Sequence, residues 1–364
     1  MKTRAALFHG AGRPLEVREI DLREPRPNEV LVRLAAVGIC GTDLHVVKGE
    51  WERPKPMVLG HEGAGTVAAV GAEVDSLEPG EAVVLSWAPS CGVCADCRRG
   101  RPAACIVLQR AIGNGTLLDD TTGLEADGET VYRGTATGAL SELLTVDADV
   151  ALPLGDDVPL EQAALLGCAA LTGVGAVLFQ ARPAPGATVL VVGAGGVGQF
   201  CVQGARIAGA AEIVCADPLE GRLQQAERLG ATRTTTPEGL PDTLSEVAPD
   251  GADVALDAVG APETTALALR WTRNGGRAVL VGLPAAGDRL DLDPAEFVRR
   301  EKDLTGSMYG SEDPRRALPV LLEHVRSGAL QLEPLVGPSF PLDDVNEAVE
   351  TSLAGSPGRV LVRP

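Results

Sequence analysis

The sequence predicts an α/β protein, with a doubly wound parallel sheet inserted into a mostly β domain. Three observations carry that expectation. Short β-branched runs broken by Gly and Pro fill the first part of the chain, strands and helices alternate after Pro185-Gly186, and mixed helix and strand return from about Ser307. At 364 residues the chain exceeds a typical single core, so two domains is the simplest division. The expected boundaries are 1–169 for the mostly β domain, 170–308 for the parallel sheet and 309–364 for the return to the first domain.

Hydrophobic residues make up 45% and charged residues 23%, an ordinary balance for a globular chain with a large core. The net charge of -18 repels phosphate backbones and anionic headgroups, so neither nucleic acid nor a membrane is an expected partner. The first residues include basic side chains but no apolar run of the length a signal peptide needs, no later segment gives an unbroken membrane-spanning stretch, and the expected location is the cytoplasm.

Taken in order, residues 29–36 and 65–70 read as strands, with Glu78-Pro79-Gly80 as a turn between β segments. Residues 161–166 begin a helix that leads into Gly167-Cys168 and a further helical run to about Ala181. Residues 188–192, Thr-Val-Leu-Val-Val, are a continuous apolar strand of the kind that parallel sheets bury on both faces. A helix follows at 199–208, a second strand at 213–216, and later strands at 252–258 and 277–283. There is no internal repeat and no low-complexity linker.

Cys91, Cys94, Cys97 and Cys105 repeat a two-residue gap before a longer one, which is zinc-ligand spacing. Thiolates at those intervals converge on one tetrahedral ion, and four of them leave no vertex for a substrate. The expected role is structural. A disulfide or redox reading of the eight cysteines is the alternative, disfavoured because a chain this long needs no such staples and a reducing compartment would not keep them. Cys201 and Cys215 stand in apolar contexts and read as small core residues.

Gly193-Ala-Gly195-Gly196-Val197-Gly198 follows the apolar strand at once and opens a helix, the setting of a dinucleotide-binding loop in a Rossmann sheet. The first glycine makes the turn, the second admits the pyrophosphate, and the helix N-terminus faces its negative charge. Asp217 falls at the end of the next strand, where a carboxylate binds the ribose hydroxyls and repels a 2′-phosphate, selecting NAD over NADP. No Arg follows immediately, and Arg222 is expected to flank the adenine. The alternative is a glycine-rich turn without ligand, against which strand, loop, helix and acid all agree.

The segments Gly38-Ile-Cys40-Gly-Thr42-Asp43-Leu-His45, Gly60-His61-Glu62-Gly63-Ala-Gly65, the four-cysteine loop, and Gly167-Cys168 with Thr172-Gly173 resemble the zinc-containing alcohol dehydrogenase branch of the medium-chain dehydrogenase/reductase family. The likeness runs from the first strand to Arg359. It implies a GroES-like catalytic domain, a Rossmann domain and two zinc ions per chain. The resemblance makes Cys40, His61 and Cys168 the ligands of a catalytic zinc whose fourth position stays open, the ligand set of alcohol dehydrogenase. Glu62 would stand behind that metal or ligate it transiently, and Asp43 would orient the His61 ring through its other nitrogen.

The same likeness implies an alcohol made acidic by the metal, hydride transfer to NAD, and a proton route from the substrate hydroxyl through Thr42 and the nicotinamide ribose to His45. Thr172, Val197 and Val259 are assigned to the cofactor, as is Arg359 to its pyrophosphate. Where many relatives carry a basic residue after the first ligand, this chain has Gly41, which implies a weaker grip on pyrophosphate. Trp51, Trp87, Tyr132, Leu283 and Met308 would line the substrate pocket, with residues 106–138 as its rim. A homodimer or homotetramer is implied, formed through the last strand of the parallel sheet, for which residues 277–283 are the expected edge.

The function expected is therefore NAD-dependent interconversion of a small primary alcohol, aromatic or allylic, and its aldehyde. Residues 306–311 with Pro314-Arg315-Arg316 resemble bacterial aryl-alcohol dehydrogenases and relatives that hold their nicotinamide permanently. The alternatives are a thiol-dependent formaldehyde dehydrogenase, a reductase of a conjugated alkene or imine, and a non-catalytic cofactor-binding protein. A complete ligand set with Thr42 and His45 argues against the last two.

Overall fold

The computed structural model describes residues 1–155 and 158–364. The chain divides into two compact units, one of residues 1–168, 313–318 and 332–364, the other of residues 169–312 and 319–331. This differs from the expected boundaries mainly near the end, where residues 319–331 cluster with the parallel sheet rather than with the first domain.

The first unit is built around the strand Glu29–Gly38, which pairs antiparallel with Glu62–Val70, Leu143–Asp147 and Arg359–Arg363. Its sequence Val-Leu-Val-Arg-Leu-Ala-Ala-Val is apolar on both faces, and eight of its ten residues are buried. Such a strand belongs in the middle of a sheet. A second sheet places Lys2–Phe8 between Glu16–Leu22 and Met57–Val58. Leu7, Ile20, Val32, Val58, Leu85 and Leu144, none more than 1% exposed, are among the residues that join both sheets in one core.

The second unit holds six strands, all paired in parallel, in the spatial order Arg233–Thr235, Glu212–Ala216, Thr188–Val192, Ala252–Asp257, Thr272–Leu280, Asp303–Gly306. The chain starts in the middle, runs outward one way and then the other. Between Thr188–Val192 and Ala252–Asp257 the direction of winding reverses, and in sheets of this kind ligands bind beyond the carboxyl ends of the strands there.

One expectation is corrected. The strand carrying residues 277–280 is hydrogen-bonded on both sides, to Ala252–Asp257 and to Asp303–Gly306, so it offers no free edge, and residues 281–283 lie beyond its end. The edge is Asp303–Gly306, whose Asp-Leu-Thr-Gly sequence carries a weak strand signal. Among the described residues no single helix is long and apolar enough to cross a membrane.

Candidate active site

Cys40, His61, Glu62 and Cys168 come from three separate places in the first unit, and one ligand atom from each lies within 4.8 Å of all the others. Cys40 precedes the helix Gly41–Val47, His61-Glu62 opens the strand Glu62–Val70, and Cys168 follows the short helical turn Ala164–Gly167. Glycine lets these segments touch. A Cβ on Gly167 would stand 2.7 Å from the Leu85 carbonyl oxygen, and one on Gly38 would stand 2.2 Å from Glu62 Oε2.

All four side chains are buried. The Cys168 thiol, with the His61 ring and the Arg359 guanidinium, holds the Cys40 thiol well below its ordinary range, and Cys168 is pushed up in turn. Burial works against a charged His61, but the Asp43 carboxylate and Cys40 outweigh it and raise the ring. Asp43 is fixed by two main-chain donors, Cys40 N–H at 3.1 Å and Gly60 N–H at 3.0 Å, and its Oδ1 faces His61 Nδ1 at 3.4 Å. The other ring nitrogen is left for a metal. Two soft thiols and an imidazole at this spacing fit a zinc ion, whose ligand bonds of about 2.0–2.3 Å set tetrahedral neighbours roughly 3.5–3.8 Å apart.

Glu62 Oε2 lies 2.9 Å from Arg359 Nε, and Arg359 Nη1 donates to the Ile39 carbonyl at 3.1 Å. Burial pushes Glu62 up to about 8 against the pull of that guanidinium. Arg359 thus has two partners beside the metal ligands, in addition to the pyrophosphate role its resemblance implied.

The second cluster is equally compact. One sulfur from each of Cys91, Cys94, Cys97 and Cys105 lies within 4.8 Å of the others, with Cys94 and Cys97 at 3.4 Å and Cys91 and Cys97 at 4.0 Å. These spacings bracket the sulfur separation of about 3.8 Å around tetrahedral zinc. Main-chain N–H groups of Cys97 and Ile106 hold the Cys94 thiol down at about 6, which favours the thiolate that binds metal.

Thr42 and His45 stand three residues apart on the helix Gly41–Val47 and so share a face. His45 stacks on Trp51, with ring centroids 4.5 Å apart and an interplanar angle of 14°. Trp87 is buried and meets the His61 ring edge-on at 6.1 Å. Tyr132 is half-buried in a two-residue strand beside Met57. The expected rim, residues 106–138, forms the helix Ile106–Asn114 and several short strands.

In the second unit the glycine loop has the geometry its spacing predicts. Gly193 has φ +92°, and a Cβ on Gly198 would fall 1.8 Å from the Gly193 carbonyl oxygen, so helix and loop touch there. A Cβ on Gly195 would meet nothing within 4 Å, which leaves that side open to a ligand. Asp217 is buried; its Oδ2 accepts from Ala194 N–H at 2.8 Å and its Oδ1 from Leu219 N–H at 2.9 Å. Arg222 Nη1 lies 3.7 Å from the same carboxylate. Gly173 permits the helix Ala169–Gly175, with buried Thr172, to approach the loop, since a Cβ there would stand 2.5 Å from the Val197 carbonyl oxygen.

Val259 is 47% exposed and covers Gly193, where an added Cβ would lie 2.4 Å from its Cγ2. Leu283 is 44% exposed, and Met308 is half-buried. Sequence reasoning missed Asp257, a buried carboxylate that accepts from the Val259 and Gly260 N–H groups at 3.0 and 3.1 Å and shapes that turn. The signal was an acid closing an apolar strand, as at Asp217. It also missed Glu50, whose carboxylate contacts His45 Nδ1.

The comparisons with known proteins agree with this geometry. Residues 26–156 match the alcohol dehydrogenase GroES-like domain and residues 196–323 the zinc-binding dehydrogenase domain. The chain is 34% identical to an S-(hydroxymethyl)glutathione dehydrogenase of Escherichia coli O1:K1 over the full length of both. Among solved structures it resembles benzyl alcohol dehydrogenase of Acinetobacter calcoaceticus, with a TM-score of 0.93 at 28% identity, covering 100% of this chain and 99% of that one. An alcohol dehydrogenase zinc-binding domain protein from Burkholderia ambifaria gives the same TM-score at 32% identity and the same coverage.

Proposed function

Because the chain belongs to the zinc-containing alcohol dehydrogenase family, we propose that it moves hydride between a primary aromatic or allylic alcohol and NAD. The observation that carries this reading is the buried convergence of Cys40, His61 and Cys168, with Glu62 and Arg359 paired beside them. Zinc supplies a Lewis acid for the alcohol oxygen there, and NAD supplies the hydride acceptor.

The chain's own residues do the rest. Asp43, held by two amides, keeps the His61 ring in its ligating orientation. Thr42 Oγ1 takes the proton released from the substrate hydroxyl, and His45, 23% exposed, passes it toward solvent. Asp217 binds the ribose hydroxyls and rejects a 2′-phosphate, which selects NAD. Trp87, edge-on to His61, provides an apolar aromatic wall that excludes water and suits a flat substrate.

A second reading, oxidation of the formaldehyde adduct of glutathione, is supported by the full-length likeness to an S-(hydroxymethyl)glutathione dehydrogenase. One experiment separates them: appearance of the reduced nicotinamide band on mixing enzyme and NAD with benzyl, allyl and short aliphatic alcohols, or with formaldehyde plus glutathione. Turnover of benzyl alcohol that chelation abolishes supports the first reading. Turnover only with formaldehyde plus glutathione supports the second, and activity untouched by loss of the metal contradicts both.

A further inference from the structure

The helix Gly41–Val47 ends at Lys48, and Gly49, with φ +78°, turns the chain back on itself. The His45 carbonyl then accepts from Glu50 N–H at 2.9 Å and from Trp51 N–H at 3.3 Å. The same two residues grip the His45 side chain. The Glu50 carboxylate contacts Nδ1 on one edge of the ring, and the Trp51 indole covers a face at 4.5 Å.

We propose that Glu50 is a positioning residue that fixes the tautomer of His45 and so makes Nε2 the atom that takes up the relayed proton, which the imidazolium then gives up to water. This rests on the alcohol dehydrogenase reading above. An ionised carboxylate only accepts hydrogen bonds, so a ring nitrogen facing it carries hydrogen. Neutral His45 is then protonated on Nδ1 and presents a lone pair at Nε2. In this state the ring is ready to take the relayed proton at Nε2 without first rotating or exchanging its own hydrogen.

The contacts go beyond what anchoring a loop requires. Glu50 and Trp51 already hold the turn through their main chains, yet both side chains are also committed to the one imidazole. Glu50 is steadied in turn by Lys48, whose Nζ lies 3.8 Å from Oε1, and the Arg53 guanidinium lies 5.5 Å from the Trp51 ring centroid. Edge and face of the ring are therefore each held by a side chain that has a second partner.

The test is the nitrogen NMR spectrum of the imidazoles in zinc-loaded enzyme, with no alcohol or NAD added. The chain has four histidines, and the His45 signals are those lost in H45N. The expected ring is protonated on Nδ1 in the wild type, becomes a tautomer mixture in Glu50→Ala, and returns to Nδ1 in Glu50→Asp. With substrate, Glu50→Ala should lower kcat about tenfold or more while KM and NAD affinity stay within about twofold, and Glu50→Asp should recover most of the rate. A wild-type ring protonated on Nε2 overturns the proposal without any variant. So does Glu50→Ala with unchanged tautomer and kcat. A wild type that keeps the Nδ1 hydrogen but oxidises no alcohol overturns the functional reading instead, and takes the relay role of Glu50 with it.

Discussion

Arg359 Nε lies 2.9 Å from Glu62 Oε2, and with 11% and 0% of their side chains exposed the two form a buried ion pair beside the ligands Cys40 and Cys168. A buried pair gives little net stability; without Arg359, Glu62, already pushed up to about 8 by burial, takes up a proton and remains as a buried polar group that has lost its partner. Arg359→Met should therefore destabilise the fold by about 1–3 kcal/mol. Adding Glu62→Gln should restore part of that loss. Chemical denaturation of the single and double variants measures the coupling directly.

The two ends of the glycine loop should respond in opposite ways to the same substitution. Gly198→Ala puts a Cβ 1.8 Å from the Gly193 carbonyl oxygen and should cost about 3 kcal/mol or more through overpacking. Gly195→Ala meets no protein atom within 4 Å and should fold like the wild type. Its added methyl should instead obstruct the pyrophosphate and weaken NAD binding. Melting temperature and NAD titration of the two proteins separate these effects.

Asp217 serves both the loop and the coenzyme, because its carboxylate is held by Ala194 and Leu219 N–H groups. Asp217→Ser removes a charged hydrogen-bond partner and the repulsion of a 2′-phosphate. The expected result is a rise in KM for NAD of roughly tenfold or more. The ratio of kcat/KM for NADP to that for NAD should rise as well, and steady-state kinetics with each coenzyme checks both.

Asp313 accepts from the Arg315 N–H at 3.0 Å at the start of the helix Pro314–Arg326, and its Oδ2 pairs with the Arg315 guanidinium at 2.9 Å. Burial opposes the charge, but the Arg315 contacts outweigh it and hold the carboxyl below its usual 3.8. A depressed folded-state value means that the stabilisation is present above the unfolded value and is lost as pH falls through the lower folded one. Asp313→Ala should cost about 1 kcal/mol at neutral pH. The difference in melting temperature between variant and wild type should shrink below about pH 4 and vanish in stronger acid.

How much of this was legible in the sequence depended on how far apart the cooperating residues lie. The four-cysteine loop and the glycine loop are each continuous in sequence, so spacing exposed the first, and spacing with the flanking strand, helix and acid exposed the second. Cys40, His61 and Cys168 are joined only by folding, and resemblance to a known family was needed to group them. His45 and Glu50 are five residues apart, yet their contact requires a helix that stops at Lys48 and a left-handed Gly49, which periodicity does not reveal. The edge of the parallel sheet was misplaced because Thr272–Leu280 carries the stronger strand signal, while the short Asp303–Gly306 owes its pairing to the sheet beside it.

Anomalous scattering at the zinc absorption edge, from crystals of the zinc-loaded enzyme, tests the central claim most directly. Two peaks per chain are predicted, one among the four clustered cysteines and one about 2.3 Å from Cys40 and Cys168 Sγ and about 2.0–2.1 Å from a His61 nitrogen. A single peak at the four-cysteine lobe, with the side chains of residues 40, 61 and 168 turned away from one another, would contradict it.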